Sequence, residues 1–225
     1  MLAIIRFLLK GWNAMRIITI SREFGSGGRE LGKRLADALG FAYYDKEIIT
    51  DVAEKTSLDE NYIEKSMERG IVHYFPTMTF AHAFNDYGDF SSSTANLFGV
   101  QCEVVKELAT KGDCVIVGRN GDVLLEEYNP LRIFVYANME SKVERCKNRA
   151  AENEKSLSDK DYVKKIKQID KSRAQNHSFI SSTSWGNIHG YDLCINTSNL
   201  DIKSIIPQIA AFAEYWFSTH NEAEK

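Results

Sequence analysis

The residues best suited to chemistry lie in one short run, Ile17-Ile18-Thr19-Ile20-Ser21-Arg22-Glu23-Phe24-Gly25-Ser26-Gly27-Gly28-Arg29-Glu30-Leu31. A β-branched stretch breaks into a glycine-rich turn and then into a helical pattern. Glycines let a backbone curl with several N–H groups pointing inward, and the start of a helix adds a fixed partial positive charge. Strand, flexible loop and helix start, in that order, build a cradle for phosphate. The chemistry implied is nucleotide handling, although a glycine-rich turn by itself is a common loop feature.

Three further features fall where an open parallel sheet presents its ligands, beyond the carboxyl ends of the strands. Tyr44-Asp45 ends one short apolar run, Gly118-Arg119 ends the most apolar one, and a basic segment follows the fourth. Asp45 reads equally well as a helix cap. Arg119 is harder to place on structural grounds alone, because an unpaired guanidinium at the end of a buried strand is costly. It calls for an anion, from the protein or from a ligand.

Arg145 and Arg149 stand four residues apart, and Asp170 and Arg173 three apart, spacings that put each pair on one helical face. Surface ion pairing worth ~0–1 kcal/mol is one account of such residues. The other is that arginines converge on phosphoryl oxygens, whose geometry a planar bidentate donor matches. Between Lys142 and Arg173 the chain carries eleven Lys/Arg against six Asp/Glu, inside a protein of net charge −3. Composition alone fits either a solvated helical surface or a basic flap over a polyphosphate.

The elements that must position these residues alternate strand with helix, which argues for a parallel sheet with helices on both faces. The first strand is expected at residues 16–20 and the first helix at 29–39, where Leu31, Leu35 and Leu39 share a face and Gly40 stops it. Further strands are expected at 41–44, 114–117, 131–136 and 191–196. Helices are expected around 48–52, at 60–69, 100–110, 139–152, 158–175 and 202–217, with another between the third and fourth strands. In residues 71–100, Phe75, Phe80, Phe84, Tyr87, Phe90 and Phe98 sit among Gly, Ser, Asn and Pro76 with weak periodicity.

A chain of 225 residues suits one well-buried α/β domain. We expect that domain at residues 15–217, between an N-terminal extension or misassigned start at 1–14 and a polar tail at 218–225. Residues 1–14 are apolar but lack a cleavage site and a linker, and no other stretch approaches the length of a membrane span. Cys102, Cys114, Cys146 and Cys194 form no CxxC pair, so they read as reduced and structural, fitting a cytoplasmic protein. The five histidines are scattered, which argues against a zinc site.

The run from Ile20 to Gly32 resembles the opening of the bacterial cytidylate kinase-like family, relatives of the P-loop nucleoside monophosphate kinases. The likeness continues through Tyr43-Tyr44-Asp45, Cys114-Val115-Ile116-Val117-Gly118-Arg119 with Asp122, Ile169-Asp170-Lys171-Ser172-Arg173, and Tyr191-Asp192-Leu193-Cys194-Ile195-Asn196-Thr197. It implies an α/β P-loop fold with an acceptor-binding insertion (43–100) and a short lid (142–173). It also implies ATP as phosphate donor, with Mg²⁺, and a nucleoside monophosphate, CMP or dCMP, as acceptor. The ATP phosphates then fall to Gly25, Ser26, Gly27, Gly28, Arg29 and Glu30, and catalysis to Arg29, Arg145 and Arg149. The acceptor falls to Asp45, Arg119, Asp170 and Arg173. The usual loop ends in Gly-Lys, then a small residue and a hydroxyl residue. Here Gly28 stands at the lysine and Glu30 at the hydroxyl, and magnesium has only Ser26 or Asp122 as candidate ligands.

Three functional classes follow: an ATP-dependent kinase, a nucleotide-binding regulator that keeps the pocket without the chemistry, or a structural protein with an empty cleft. The acidic balance and the lack of a recognisable module argue against nucleic acid as a partner. No membrane partner is expected, and whether the chain forms a homodimer is left open at this level.

Overall fold

The computed structural model describes residues 15–69, 93–150 and 157–220. Its centre is a five-stranded, fully parallel sheet in the order β2-β3-β1-β4-β5. The strands are β1 (Ile17–Arg22), β2 (Ala42–Tyr44), β3 (Cys114–Val117), β4 (Leu131–Tyr136) and β5 (Leu193–Asn196). Strand β1 is central: it pairs with β3 from Ile17 to Ile20, and with β4 from Ile18 to Arg22. Its two extra residues beyond the expected stop at Ile20 follow from that pairing, since Ser21 and Arg22 lie opposite Phe134 and Val135. Arg22 is thereby carried to the ligand-binding edge of the sheet.

Both faces of the sheet are covered, as a parallel sheet requires. On one face Ile18, Ile20, Val115, Val117 and Ile133 pack against α1 (Gly28–Leu39) and, through Ile206, Trp216 and Phe217, against α8 (Ile202–His220). On the other, Ile17, Cys114 and Ile116 meet α2 (Glu47–Thr56) and α4 (Ser93–Ala109). Helix α3 (Glu60–Arg69) follows α2 and coincides with the expected span. The helix expected between β3 and β4 is a short α5 (Gly121–Leu124), followed by a 3-10 turn at Glu126–Tyr128. Gly118, Arg119 and Asn120, at φ 75, 57 and 54, form a left-handed turn that separates β3 from α5.

Helices α6 (Met139–Asn148) and α7 (Asp159–Ile180) form the basic segment. Asn138 caps α6 by accepting from the Ser141 amide, and Ser158 with Asp161 closes a capping box on α7. Helix α7 runs past the expected end at 175, because its last turns pack back on the core. There His177 Nε2 lies 3.1 Å from Asp122 Oδ2 in a buried pair, and Phe179 meets Phe98 edge-on at 6.4 Å. The expected N-terminal extension and the aromatics Phe75, Phe80, Phe84, Tyr87 and Phe90 lie outside the described residues.

Candidate active site

The loop between β1 and α1 is held from below. Gly25 and Gly27 take left-handed φ values of 79 and 84, and Gly27 precedes α1 without any side-chain cap. The first-turn amides of α1 therefore remain open toward the cleft, as helix N-termini leave them. The loop's other groups are tied down. Phe24 N donates to Asp170 Oδ1 at 2.6 Å, Ser26 Oγ donates to the Glu23 carbonyl at 2.8 Å, and Thr197 Oγ1 donates to the Ser26 carbonyl at 2.7 Å. Beneath the loop, buried Lys142 Nζ lies 3.1 Å from Glu23 Oε2 and 2.8 Å from Asp170 Oδ2.

Above the loop, cations gather. One cleft of ≈ 270 Å³ is lined by Arg22, Arg29, Arg145, Arg149, Lys165 and Arg173, against the carboxylates of Glu23 and Glu64. Strand β1 delivers Arg22, the first turn of α1 delivers Arg29, and α6 and α7 deliver the rest. Arg29 Nε sits 2.5 Å from Asp45 Oδ2, and Arg22 Nη2 lies 3.8 Å from Asp45 Oδ1, so one nearly buried carboxylate serves two guanidiniums. Burial, then the nearby charge of Arg173, pulls the Arg22 pKa well below its ordinary value, with Arg119 and Arg29 adding to the effect and Asp45 opposing it. Arg119 thus belongs to the same charged cluster, on a left-handed backbone at the end of β3. Backbone held in a sparsely populated region is the kind of strain found at ligand clamps.

The other expected site residues take more varied places. Arg145 lines the cleft, but its guanidinium bonds the carbonyls of Ser26, Thr197 and Leu200, stitching the loop to the turn after β5. Burial, then Arg149, lowers its pKa. Arg149 closes the C-terminus of α6 and pairs with Glu30, whose other oxygen accepts from Arg34 at 2.9 Å. Glu30 is thereby neutralised and drawn away from the mouth of the loop, into a neighbouring hollow of ≈ 330 Å³ shared with Arg29, Tyr43, Asp45 and Arg149. Burial and the Asp45 charge raise the pKa of the Tyr43 phenol there. Asp170 turns to Lys142 and the Phe24 amide, while Arg173 donates to the Arg22 carbonyl at 2.9 Å. The i, i+3 spacing does put Asp170 and Arg173 on one side of α7, 4.0 Å apart.

Magnesium fits neither expected position. The Ser26 hydroxyl is buried against the Glu23 carbonyl, and Asp122 is buried against His177 on the opposite face of β1 from α1. Neither lines the cleft. No three His, Cys, Asp or Glu side chains among the described residues gather as metal ligands.

Reasoning from sequence missed Arg22, Lys142 and Thr197. Arg22 had a signal: a charged residue closing an apolar run, the same argument that selected Arg119. Lys142 had none, because nothing local tells a buried lysine from the other basic residues of its segment.

A model of the cytidylate kinase-like family matches residues 17–199, and the chain belongs to that family. Its general kind is thus a kinase-like phosphotransferase built on a P-loop kinase fold. Among solved structures, an uncharacterised protein from Eubacterium ventriosum superposes with a TM-score of 0.64 at 23% identity, covering 88% of this chain and 98% of that one. Shikimate kinase from Bacteroides thetaiotaomicron gives 0.49 at 17% identity, covering 89% and 99%. Shikimate kinase from Acinetobacter baumannii, in complex with shikimate, gives 0.46 at 16%, covering 89% and 93%. No curated protein matches the chain. No described helix is long and apolar enough to cross a membrane.

Proposed function

We propose that this protein transfers the terminal phosphoryl group of ATP to a nucleoside monophosphate, CMP or dCMP by family likeness. The observation that carries the reading is the convergence of six cationic side chains on one cleft directly above an uncapped helix start. Phosphoryl transfer is largely positioning plus stabilisation of charge on the transferring oxygens, and such a cleft supplies both.

In this reading the amides of residues 25–30 hold the donor phosphates and Arg29 spans donor and acceptor. Asp45, Arg119 and Arg173 face the acceptor. Arg149 closes over the transferring group on release from Glu30. Arg145 and Asp170 act as positioning residues, because their side chains are already engaged with the loop and its support. Magnesium is assigned no protein ligand and no step. A reducing, cytoplasmic setting belongs to the same reading and is supported by four free cysteines.

Release of ADP with a panel of nucleoside monophosphates, with and without Mg²⁺, tests the proposal. Arg29→Ala removes charge-assisted hydrogen bonds to a phosphate, so kcat/KM should fall about 100-fold, roughly 2.7 kcal/mol of lost transition-state stabilisation. Absence of turnover with every acceptor would sink the kinase reading. Glycine in place of the loop lysine favours a second reading, a nucleotide-binding regulator. Calorimetry separates the two, since tight nucleotide binding without turnover selects the regulator.

A further inference from the structure

Deepening that reading and resting on it, we infer that Arg22, whose stem fills the space a side chain at the loop-lysine position would need, supplies the cleft's fixed cation for an acceptor phosphate monoester dianion. The glycines at 28 and 118 are the two spaces its side chain needs.

Steric evidence comes first. Arg22 ends the central strand, its side chain is only 14% exposed, and it lines the cleft. A Cβ on Gly28 would lie 2.6 Å from Arg22 Cβ and 3.0 Å from its Cγ. A Cβ on Gly118, already at φ +75, would lie 1.8 Å from Arg22 Nη1 and 2.7 Å from Cζ. The stem of the arginine thus fills the space beside residue 28, and its head lies over the backbone at residue 118. Any side chain at position 28, lysine included, collides with that stem. Arginine at 22 and lysine at 28 are alternatives, and this chain has the first.

Charge points the same way. Asp45 is shared, and its closer contact goes to Arg29. Arg22 is left largely buried with a distant half-share of one carboxylate, beside the charges of Arg173, Arg119 and Arg29. An anion entering this cluster lowers the repulsion that its cations exert on Arg22. The guanidinium points toward Asp45 and Gly118, the ends of β2 and β3, so the anion belongs on the acceptor side of the loop. A planar fork suits tetrahedral oxygens, and a dianion offsets more of the repulsion than a carboxylate would.

A structural arginine and a ligand-binding arginine differ in the unliganded protein. Thermal unfolding of the full chain is measured in phosphate-free buffer, alone and with CMP, inorganic phosphate or cytidine. CMP and inorganic phosphate should raise the wild-type Tm, and cytidine should not. Arg22→Met should leave the unliganded Tm at or above the wild-type value while weakening CMP at least tenfold. Unchanged CMP affinity in that variant overturns the assignment.

The housing is tested independently. Gly28→Lys should lower Tm, and adding Arg22→Gly to it should restore Tm, because the colliding atoms are gone. Gly28→Lys with wild-type Tm and wild-type binding also overturns the inference. A wild-type protein that responds to neither CMP nor phosphate brings down the functional reading as a whole. That outcome is distinct from one in which only the Arg22 variants disagree.

Discussion

Lys142 ties the loop to both helices of the basic segment. Its ammonium lies between Glu23 and Asp170, almost fully buried, and both carboxylates in turn bond backbone amides: Glu23 that of Ala137, and Asp170 that of Phe24. Removing the ammonium leaves two half-buried carboxylates facing each other without the cation they share. Lys142→Met should therefore cost about 3 kcal/mol in urea-induced unfolding. A loss below about 1 kcal/mol would mean that water solvates the two carboxylates. The same residue shows why side chains that support a site are hard to recognise beforehand. Its chemistry comes from partners 119 and 28 positions away, and no local pattern encodes them. Arg145 was legible as an arginine facing the cleft, yet its bonds to the Ser26, Thr197 and Leu200 carbonyls depend on where the turn after β5 arrives.

At the scale of elements, caps decide where the basic segment begins. Asn138 accepts from the Ser141 amide and so fixes the first turn of α6, from which Lys142 reaches under the loop. Asn138→Ala should cost about 1 kcal/mol of global stability. It should also weaken nucleotide binding, because the loop's support moves with the helix. A titration calorimeter that finds affinity unchanged in this variant would show that α6 is held by packing alone. Strands β3 and β4 and helix α3 fall where the hydrophobic pattern puts them. Their boundaries are written locally, in turn residues such as Lys111-Gly112-Asp113 and Pro130. Helix α7 behaves differently. Its last turns exist because His177 and Phe179 find Asp122 and Phe98, contacts that no window of sequence contains.

Over the whole molecule, burial of weakly acidic groups sets the alkaline limit. Burial raises the thiol of Cys102 to about 11 and that of Cys114 to about 12, from an ordinary 9.0. Tyr43 and Tyr191 move upward for the same leading reason. A raised pKa on an acid means that the folded protein keeps a proton the unfolded chain gives up. Stability is then unaffected below pH 9 and falls as pH rises from 9 toward 12, by up to about 1.4 kcal/mol per pH unit for each such group. Urea midpoints measured from pH 7 to 11 should show a plateau followed by this decline. A midpoint rising with pH would contradict it. The same burial should make Cys114 the slowest thiol to alkylate in the native protein at neutral pH.

The order of residues alone determined the parallel α/β architecture, the glycine loop between β1 and α1, and the candidates Arg29, Asp45, Arg119 and Arg173. The architecture rests on short-range periodicity, Asp45 and Arg119 on residue types placed at strand ends, and the roles of all four candidates on the family resemblance, none of which needs knowledge of what lies across the fold. Tertiary structure decided which cations meet. It brought Arg22 over Gly118, set Lys142 beneath the loop, turned Glu30 toward Arg34 and Arg149, and took Asp122 to His177. Those pairings join residues far apart in the chain, and electrostatic energy depends on distance in space, which only packing fixes.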